Sequence, residues 1–311
     1  MRRIRRMKRM RAGEKRKRTI RAAVLKWYRS HGRELPWRHE RNPYRILVSE
    51  IMLQQTQVSR VLLLYPRFLQ RFPTLGHLAV ARTSSVIKAW RGMGYNNRAL
   101  RLQQLARRVA AESNGLLPRS VEALMLLPGI GRYTAHAVAC LAFGRRVPVV
   151  DTNISRILRR LFPSMSSFTQ ANGNDDWARA AELLPRRAAG TWNQALMDLG
   201  ATVCVASSPR CDQCPLLSLC PSAHRVSRTK KRRTKPESGR SGIPNRIYRG
   251  RIVEALRALG RGQSMTPGTL ARKAVDDFNK GDRGWFDSVL ESLERDGLIR
   301  RRTRSRISLP A

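Results

Sequence analysis

Between Tyr44 and about Leu161 the apolar positions recur at helical spacing: Val48, Met52, Val58, Val61, Leu62 and Tyr65 are examples. The helical pattern is punctuated by "RFPTL" (71–75), "GMGY" (92–95), "NGLLP" (114–118) and "LPGIG" (127–131). Strand alternation is sparse. The pattern predicts an all-α domain with short connections. A preceding helix over Thr19–Ser30 leads to "LPWR" (35–38), an extended break at proline. After Pro221 the stretch 224–245 is charged, bears Ser, Pro and Gly, and lacks large apolar residues; it reads as a basic linker over 223–245. Periodicity returns with Ile252, Val253, Leu256 and Leu259, then Phe286, Val289, Leu290 and Leu293. The chain closes on two short runs around a basic turn. Helix–helix–helix–hairpin is the order of a winged helix, so 246–311 is expected to be a small winged-helix-like carboxy-terminal domain.

Charge changes this picture most. The 311 residues carry 62 Lys+Arg against 21 Asp+Glu, a formal net charge of +41. Such self-repulsion opposes compaction and is explained by a polyanionic partner, which points to nucleic acid. No apolar run approaches the roughly 20 residues of a membrane helix. Met1–Arg18 is basic without a signal-peptide apolar core and reads as a disordered arm. A monomer is expected, cytoplasmic and nucleoid-associated if the source is bacterial.

Cys204, Cys211, Cys214 and Cys220 are spaced C-x6-C-x2-C-x5-C. Four thiolates this close can wrap a metal centre. Zinc sites usually come as two C-x2-C pairs and only one is present, so a [4Fe–4S] cluster is preferred, with zinc and unligated thiols as alternatives. Arg210 between the cysteines suggests that the loop faces phosphate. Cys140, on an apolar helix, reads as packing. In "LPGIGRYTAHAVACLAFG" (127–144), Gly129 and Gly131 would let backbone N–H groups approach a phosphate at the start of a helix near Arg132. Asp151 follows the apolar run Val147–Val150 and is either a helix N-cap or a site carboxylate, or both.

The stretch "SEIMLQQTQV" (49–58) places Glu50, Gln54 and Gln55 on an otherwise core-like helix. With "LPWR", "GMGYNNRA", "LPGIGRYTA", "VVDTNISR", "NQALMDLGATVC" and the cysteine spacing, it resembles the helix–hairpin–helix DNA glycosylases with the Gly/Pro…Asp signature. Within these it is similar to the adenine glycosylases that act on adenine opposite guanine or 8-oxoguanine (the MutY type). The likeness covers about residues 20–222. It implies a six-helix barrel domain and a [4Fe–4S] cluster domain in a core over 19–222, the cluster loop at 204–220, and a catalytic cleft between the two domains.

The resemblance also implies roles. Glu50 matches the catalytic acid that protonates N7 of adenine, and Asp151 the carboxylate that stabilises the cationic sugar. Tyr133 and Asn153 match hydrogen-bonding neighbours of that pair. Arg38, Gln54, Gln55, Tyr95, Gly129, Gly131, Arg132 and Gln194 match residues on the DNA and substrate side; Tyr95 is the wedge, and Gln194 lies near the adenine pocket. Cys204, Cys211, Cys214 and Cys220 match the cluster ligands. Tyr133 stands where strand-cleaving relatives have a Schiff-base lysine, which implies a monofunctional enzyme acting on mismatched double-stranded DNA.

Two features depart from the pattern. The tail does not resemble the Nudix-like domain that reads 8-oxoguanine, and Asn96 stands where a second aromatic is frequent. The competing readings are a T/G or U/G mismatch glycosylase and a non-catalytic DNA-binding protein on the same scaffold.

Overall fold

The computed structural model describes residues 2–163, 174–225, 237–303 and 306–311. These residues are predominantly helical, as the periodicity predicts, and they divide into two units.

The first unit comprises 1–46, 119–125 and 130–232. It begins with α1 (Arg2–His31) and a 3-10 turn at Pro36–Arg38. The chain leaves it within α2 (Pro43–Leu53) and returns for α7 (Val121–Met125), α8 (Arg132–Leu141), α9 (Thr152–Leu161), α10 (Asn174–Leu183) and α11 (Ala189–Thr202). The cysteine loop follows, with short 3-10 turns at Cys211–Gln213 and Leu217–Leu219. One apolar stripe per helix makes the core: Ile20, Val24 and Trp27 from α1, Ile154, Ile157 and Leu158 from α9, and Trp192, Leu196 and Leu199 from α11. Each such side chain, taken from water, contributes about 1.5–3 kcal/mol.

The reading of Met1–Arg18 as a disordered arm is corrected, because α1 is helical from Arg2. Arg, Lys, Met and Ala are good helix formers, and the segment continues a helix whose apolar face is anchored in the core. Its last residues are tied down. Arg16 donates to the carbonyls of Leu161 and Leu219, each at 3.1 Å, and so covers the C-terminal end of α9 where a cation is favoured. Lys17 pairs with Glu182 at 3.0 Å.

The second unit comprises 47–118, 126–129 and 233–311. It holds α3 (Val58–Arg71), α4 (Leu75–Val80), α5 (Thr83–Ala89) and α6 (Asn97–Glu112). The carboxy-terminal part adds β1 (Gly239–Arg240), β2 (Ile243–Pro244), α12 (Asn245–Arg257), α13 (Pro267–Ala274), α14 (Arg283–Arg295), β3 (Arg300–Thr303) and β4 (Arg306–Ser308). Both strand pairs are antiparallel, and Met265 bridges to Ile307 beside β4. The expected helix–helix–helix–hairpin order is present. It does not stand alone: Ile87 of α5 and Leu100 of α6 are part of the same core as Tyr248, Ile252, Leu256 and Leu293.

The end of the expected linker is also structured. Ser241 and Gly242 both adopt positive φ (50° and 74°), the twist that suits a two-residue hairpin turn. Arg240 fastens this hairpin to Asp277 and Asp282, each at 2.6 Å. Residues 226–236 of that linker lie outside the described residues.

The most buried charge in the first unit is Asp198 on α11, with no exposed surface. Arg38 grips both its oxygens at 2.5 Å, and Arg33 adds a backbone donor at 2.9 Å and its guanidinium at 2.7 Å. Burial pushes the Asp198 carboxyl up, but the hydrogen bonds and charges of Arg38 and Arg33 outweigh it and hold the group below the usual aspartate range. A depressed folded-state value means the stabilisation is complete above the unfolded value near ~3.9 and is lost as pH falls through the folded one. Asp198→Asn leaves the buried Arg38 and the partly exposed Arg33 without their counter-ion and is expected to lower stability by about 3 kcal/mol. Urea unfolding should show that loss at neutral pH and a difference from wild type that narrows below about pH 4.

Candidate active site

Helix α2 carries a run of apolar residues that becomes core, and Glu50 lies inside that run. Val48 and Met52 are fully buried; Ser49 and Glu50 are 1% and 5% exposed. A carboxyl this deeply buried is costly to charge unless it is paired.

Gln54 and Gln55 are not on the helix, as their spacing suggested. The helix ends at Leu53, and Gln55 sits in the left-handed region at φ 53° before α3 begins at Val58. A similar turn precedes α6. There Gly92, Gly94 and Tyr95 have φ of 83°, 69° and 43°, and Tyr95 is 55% exposed. A bulky residue held left-handed is strained, at a cost of order 1–3 kcal/mol, and persists only when its surroundings enforce it.

Arg98 enforces both turns. Its buried guanidinium donates to the carbonyls of Ile51 (2.8 Å), Met52 (3.0 Å) and Gln54 (2.5 Å) and to Thr56 Oγ1 (3.0 Å) on one side. On the other it reaches the carbonyls of Met93 (3.0 Å) and Gly94 (3.2 Å). It lies 5.5 Å from the Trp90 ring centroid and 5.7 Å from that of Tyr95. Burial pushes its pKa down to about 10, so it remains a cation at neutral pH. Sequence reasoning passed over Arg98 within "GMGYNNRA". A cation in the first turn of a helix, against the dipole, was the available signal.

In the first unit Asp151 is the N-cap of α9. Its Oδ1 accepts from the Ile154 backbone at 2.7 Å and its Oδ2 from Asn153 Nδ2 at 2.9 Å. The cap and site readings are therefore compatible: the cap fixes the carboxylate. Asn153 is oriented in turn by Arg156, which donates to Asn153 Oδ1 (2.8 Å), to the Gly200 carbonyl (2.7 Å) and to the Cys204 carbonyl (2.7 Å). Gly200 is required here, because an added Cβ would lie 2.6 Å from the Asn153 Cβ. Tyr133, on the first turn of α8, packs partly buried against the first unit's core.

Around the helical hairpin, Gly129 has φ 77°, and a Cβ there would meet the Arg101 stem at 2.9 Å. Gly131 is the N-cap of α8 and has open space where a Cβ would project. The exposed Arg132 guanidinium lies 4.1 Å from the Trp177 ring centroid.

Arg38, expected on the DNA side, turns inward instead. Its side chain is 7% exposed and bound to Asp198, and it also donates to the Tyr28 hydroxyl at 2.9 Å. That hydroxyl donates to Gln194 Oε1 at 3.3 Å. The geometry thus makes Arg38 a support for Gln194 and Asp198 the anchor of that support.

All four clustered thiols line one cavity, together with Arg160, Arg210 and Leu217. Four thiols facing one cavity are a donor set that can hold an iron–sulfur cluster. Burial, with the negative charge of the neighbouring thiolates, pushes the Cys214 thiol up to about 11. Such a donor set calls for a cation among the thiolates. Arg160 Nη1 donates to Cys204 Sγ at 3.3 Å. Cys140 is buried apart from this loop and accepts from Asn193 at 3.2 Å, which is the packing role expected of it.

A family model described as "HhH-GPD superfamily base excision DNA repair protein" matches residues 48–172, and one described as "Iron-sulfur binding domain of endonuclease III" matches 204–220. An adenine DNA glycosylase of Mycobacterium tuberculosis is 40% identical over 292 residues, covering 92% of this chain and 92% of the relative. The adenine DNA glycosylase of Homo sapiens is 43% identical over 221 residues, 67% of this chain and 40% of its own. Among solved structures, a thermostable thymine-DNA glycosylase has a TM-score of 0.65 at 32% identity, covering 69% of this chain and 100% of that one. A non-covalent endonuclease III–DNA complex has a TM-score of 0.58 at 26% identity, covering 67% and 97%.

The close approach of Gly200 to Asn153 generates a test. Gly200→Ala should push the N-terminus of α9 away and misplace Asp151. Base release in single-turnover assays is expected to fall by about tenfold or more, with duplex Kd changed far less. An equal loss of binding and rate would assign the glycine to the fold alone.

Proposed function

This chain belongs to the adenine DNA glycosylases of the HhH-GPD base-excision repair superfamily, and we propose that the adenine it removes is the one mispaired with guanine or 8-oxoguanine in double-stranded DNA. The observation that supports this finer reading is Tyr95, an aromatic held out of the core in a left-handed turn where a wedge beside the mispair belongs. The high positive charge suits a DNA partner. Among the described residues no helix is long and apolar enough to cross a membrane. We read the protein as a monomer acting in the bacterial cytoplasm.

The proposed mechanism assigns two carboxyl groups to the two halves of one bond. In hydrolysis of the N-glycosidic bond the C1′–N9 bond breaks, the base leaves with the electron pair, and the sugar becomes oxocarbenium-like. Protonated Glu50 donates to N7 and makes the base a better leaving group. Ionised Asp151, fixed by Ile154 N–H and Asn153, faces the developing positive charge and guides water or a transient link to C1′. The burial of Glu50 on α2 and the two donors that fix the Asp151 carboxylate are the observations that support this division.

Gln54, Gln55 and Tyr95 probe and unstack the duplex while the adenine is flipped, and Gln194 contacts it in the pocket. Gly129, Gly131 and Arg132 place the start of α8 against backbone phosphate. Tyr133 offers no amine, so no Schiff base forms and the strand is left uncut. The chain carries a [4Fe–4S] cluster in its 204–220 segment. Cys204, Cys211, Cys214 and Cys220 would hold it, and bound there it would cross-link the loop that follows α11.

Duplexes containing A·8-oxoguanine, A·G, T·G and U·G, incubated with the protein and then with or without alkali, test the reading. Abasic sites are expected in the first two only, with strand breaks appearing only after alkali. Release of thymine or uracil in preference to adenine would overturn it. Glu50→Gln should reduce base release by about a hundredfold or more while the duplex is still bound.

A further inference from the structure

The carboxy-terminal helices are not a spectator to the wedge turn. Asn96 immediately follows Tyr95 and occupies the N-cap position of α6. An N-cap asparagine normally accepts a hydrogen bond from the first turn of its own helix; Asn96 makes no such bond. Its side-chain oxygen accepts instead from Nη2 of Arg257, the last residue of α12, at 2.8 Å. The Arg257 side chain is 7% exposed. Its other nitrogens are also engaged: Nε donates to the Ile87 carbonyl at 3.0 Å and Nη1 to Glu254 at 3.2 Å. Glu254 pairs with Arg91, beside Gly92 at the start of the turn. The Asp296 carboxylate of the same carboxy-terminal part takes Arg249. Lys88 of α5 donates to the Leu259 carbonyl just beyond α12, at 2.7 Å. Both helices flanking the turn, α5 and α6, are therefore docked to the carboxy-terminal part, and the first asparagine of "GYNNRA" is bound to it.

We propose that Arg257 and Asn96 are positioning residues for the wedge, and that through them the carboxy-terminal domain sets how well the enzyme distinguishes 8-oxoguanine from guanine opposite adenine. The proposal rests on Tyr95 being the wedge. Its physical basis is preorganisation. A planar guanidinium with all its nitrogens committed is a rigid support, so the Tyr95 ring need not be ordered when DNA binds. A turn anchored only by Arg98, from the core side, would keep its carbonyls fixed but leave Asn96 and the ring next to it free to tilt. The residue that replaces a second aromatic thus has a use that an aromatic lacks: it is an acceptor for Arg257.

The test compares single-turnover adenine release from A·8-oxoguanine and A·G duplexes, with 2-aminopurine placed next to the opposite base as a reporter of wedge insertion. Arg257→Met is expected to lower the A·8-oxoguanine to A·G rate ratio by about threefold or more and to shrink the 2-aminopurine fluorescence change on binding. Asn96→Leu should reproduce both effects, and the double variant should be no worse than either single one. Should Arg257→Met fail to fold, Asn96→Leu with Asn96→Asp, which keeps the acceptor, carries the same comparison, and only the leucine variant should lose selectivity. An unchanged rate ratio and fluorescence in Arg257→Met and Asn96→Leu, or strictly additive losses, would overturn the proposal. Tyr95→Ala separates the two levels. If it alters ratio and fluorescence while the Arg257 and Asn96 variants do not, the brace is wrong and the wedge stands; if it too is silent, the wedge reading falls first.

Discussion

A guanidinium taken out of water must find acceptors, and Arg98 finds them in backbone carbonyls that no helix can satisfy. The carbonyls at the end of α2 and in the turn before α6 lose their partners when the chain turns, and one buried cation collects both sets. Two strained turns, one presenting Gln55 and the other Tyr95, are thereby fixed to each other at a single side chain. The same constraint recurs in the first unit. Asp198 is buried, so Arg33 and Arg38 must be brought to it, and Arg38 then supports Tyr28 and Gln194. Charges inside this protein are costly to leave alone, and Arg98 and Asp198 each immobilise the segments that satisfy them.

The Asp151 carboxylate is held by a chain of smaller bonds. Asp151 takes Asn153, Asn153 takes Arg156, and Arg156 reaches the carbonyl of Cys204. The start of the cysteine loop and the cap of α9 are therefore parts of one hydrogen-bonded network. Gly200 permits the close contact between α9 and α11 on which that network depends. A cluster that fixes the cysteine loop would stiffen the far end of the same chain of contacts.

Much of this was legible because it depends on local pattern. Helical periodicity delivered the all-α core, the composition shift after Pro221 marked the carboxy-terminal part, and Asp151 at the end of an apolar run read as a cap, a site carboxylate or both. What stayed hidden depends on partners distant in sequence. The one local sign at Arg98, a cation in the first turn of a helix, is faint in a chain where arginines are abundant throughout. Arg38 looked like one more cation for phosphate, until Asp198, 160 residues later, turned it inward. Gln54 and Gln55 continued the helical spacing, and only the termination of α2 by Arg98 moved them into a turn. The basic amino-terminal segment had the composition of a disordered arm. It is helical because the helix nucleated by Ile20, Val24 and Trp27 extends backwards through residues that favour it. The roles of Asn96 and Arg257 lay in a contact between residues 161 positions apart.

The central claim is that an enclosed acid at position 50 and a capped carboxylate at position 151 serve the same extruded adenine. The direct measurement is a crystal structure of the protein on a duplex carrying 2′-fluoro-deoxyadenosine, which resists cleavage, opposite 8-oxoguanine. The account predicts the Glu50 carboxyl within hydrogen-bond reach of adenine N7 and the Asp151 carboxylate facing C1′ of that nucleotide. An extruded adenine with either carboxyl directed elsewhere would contradict it.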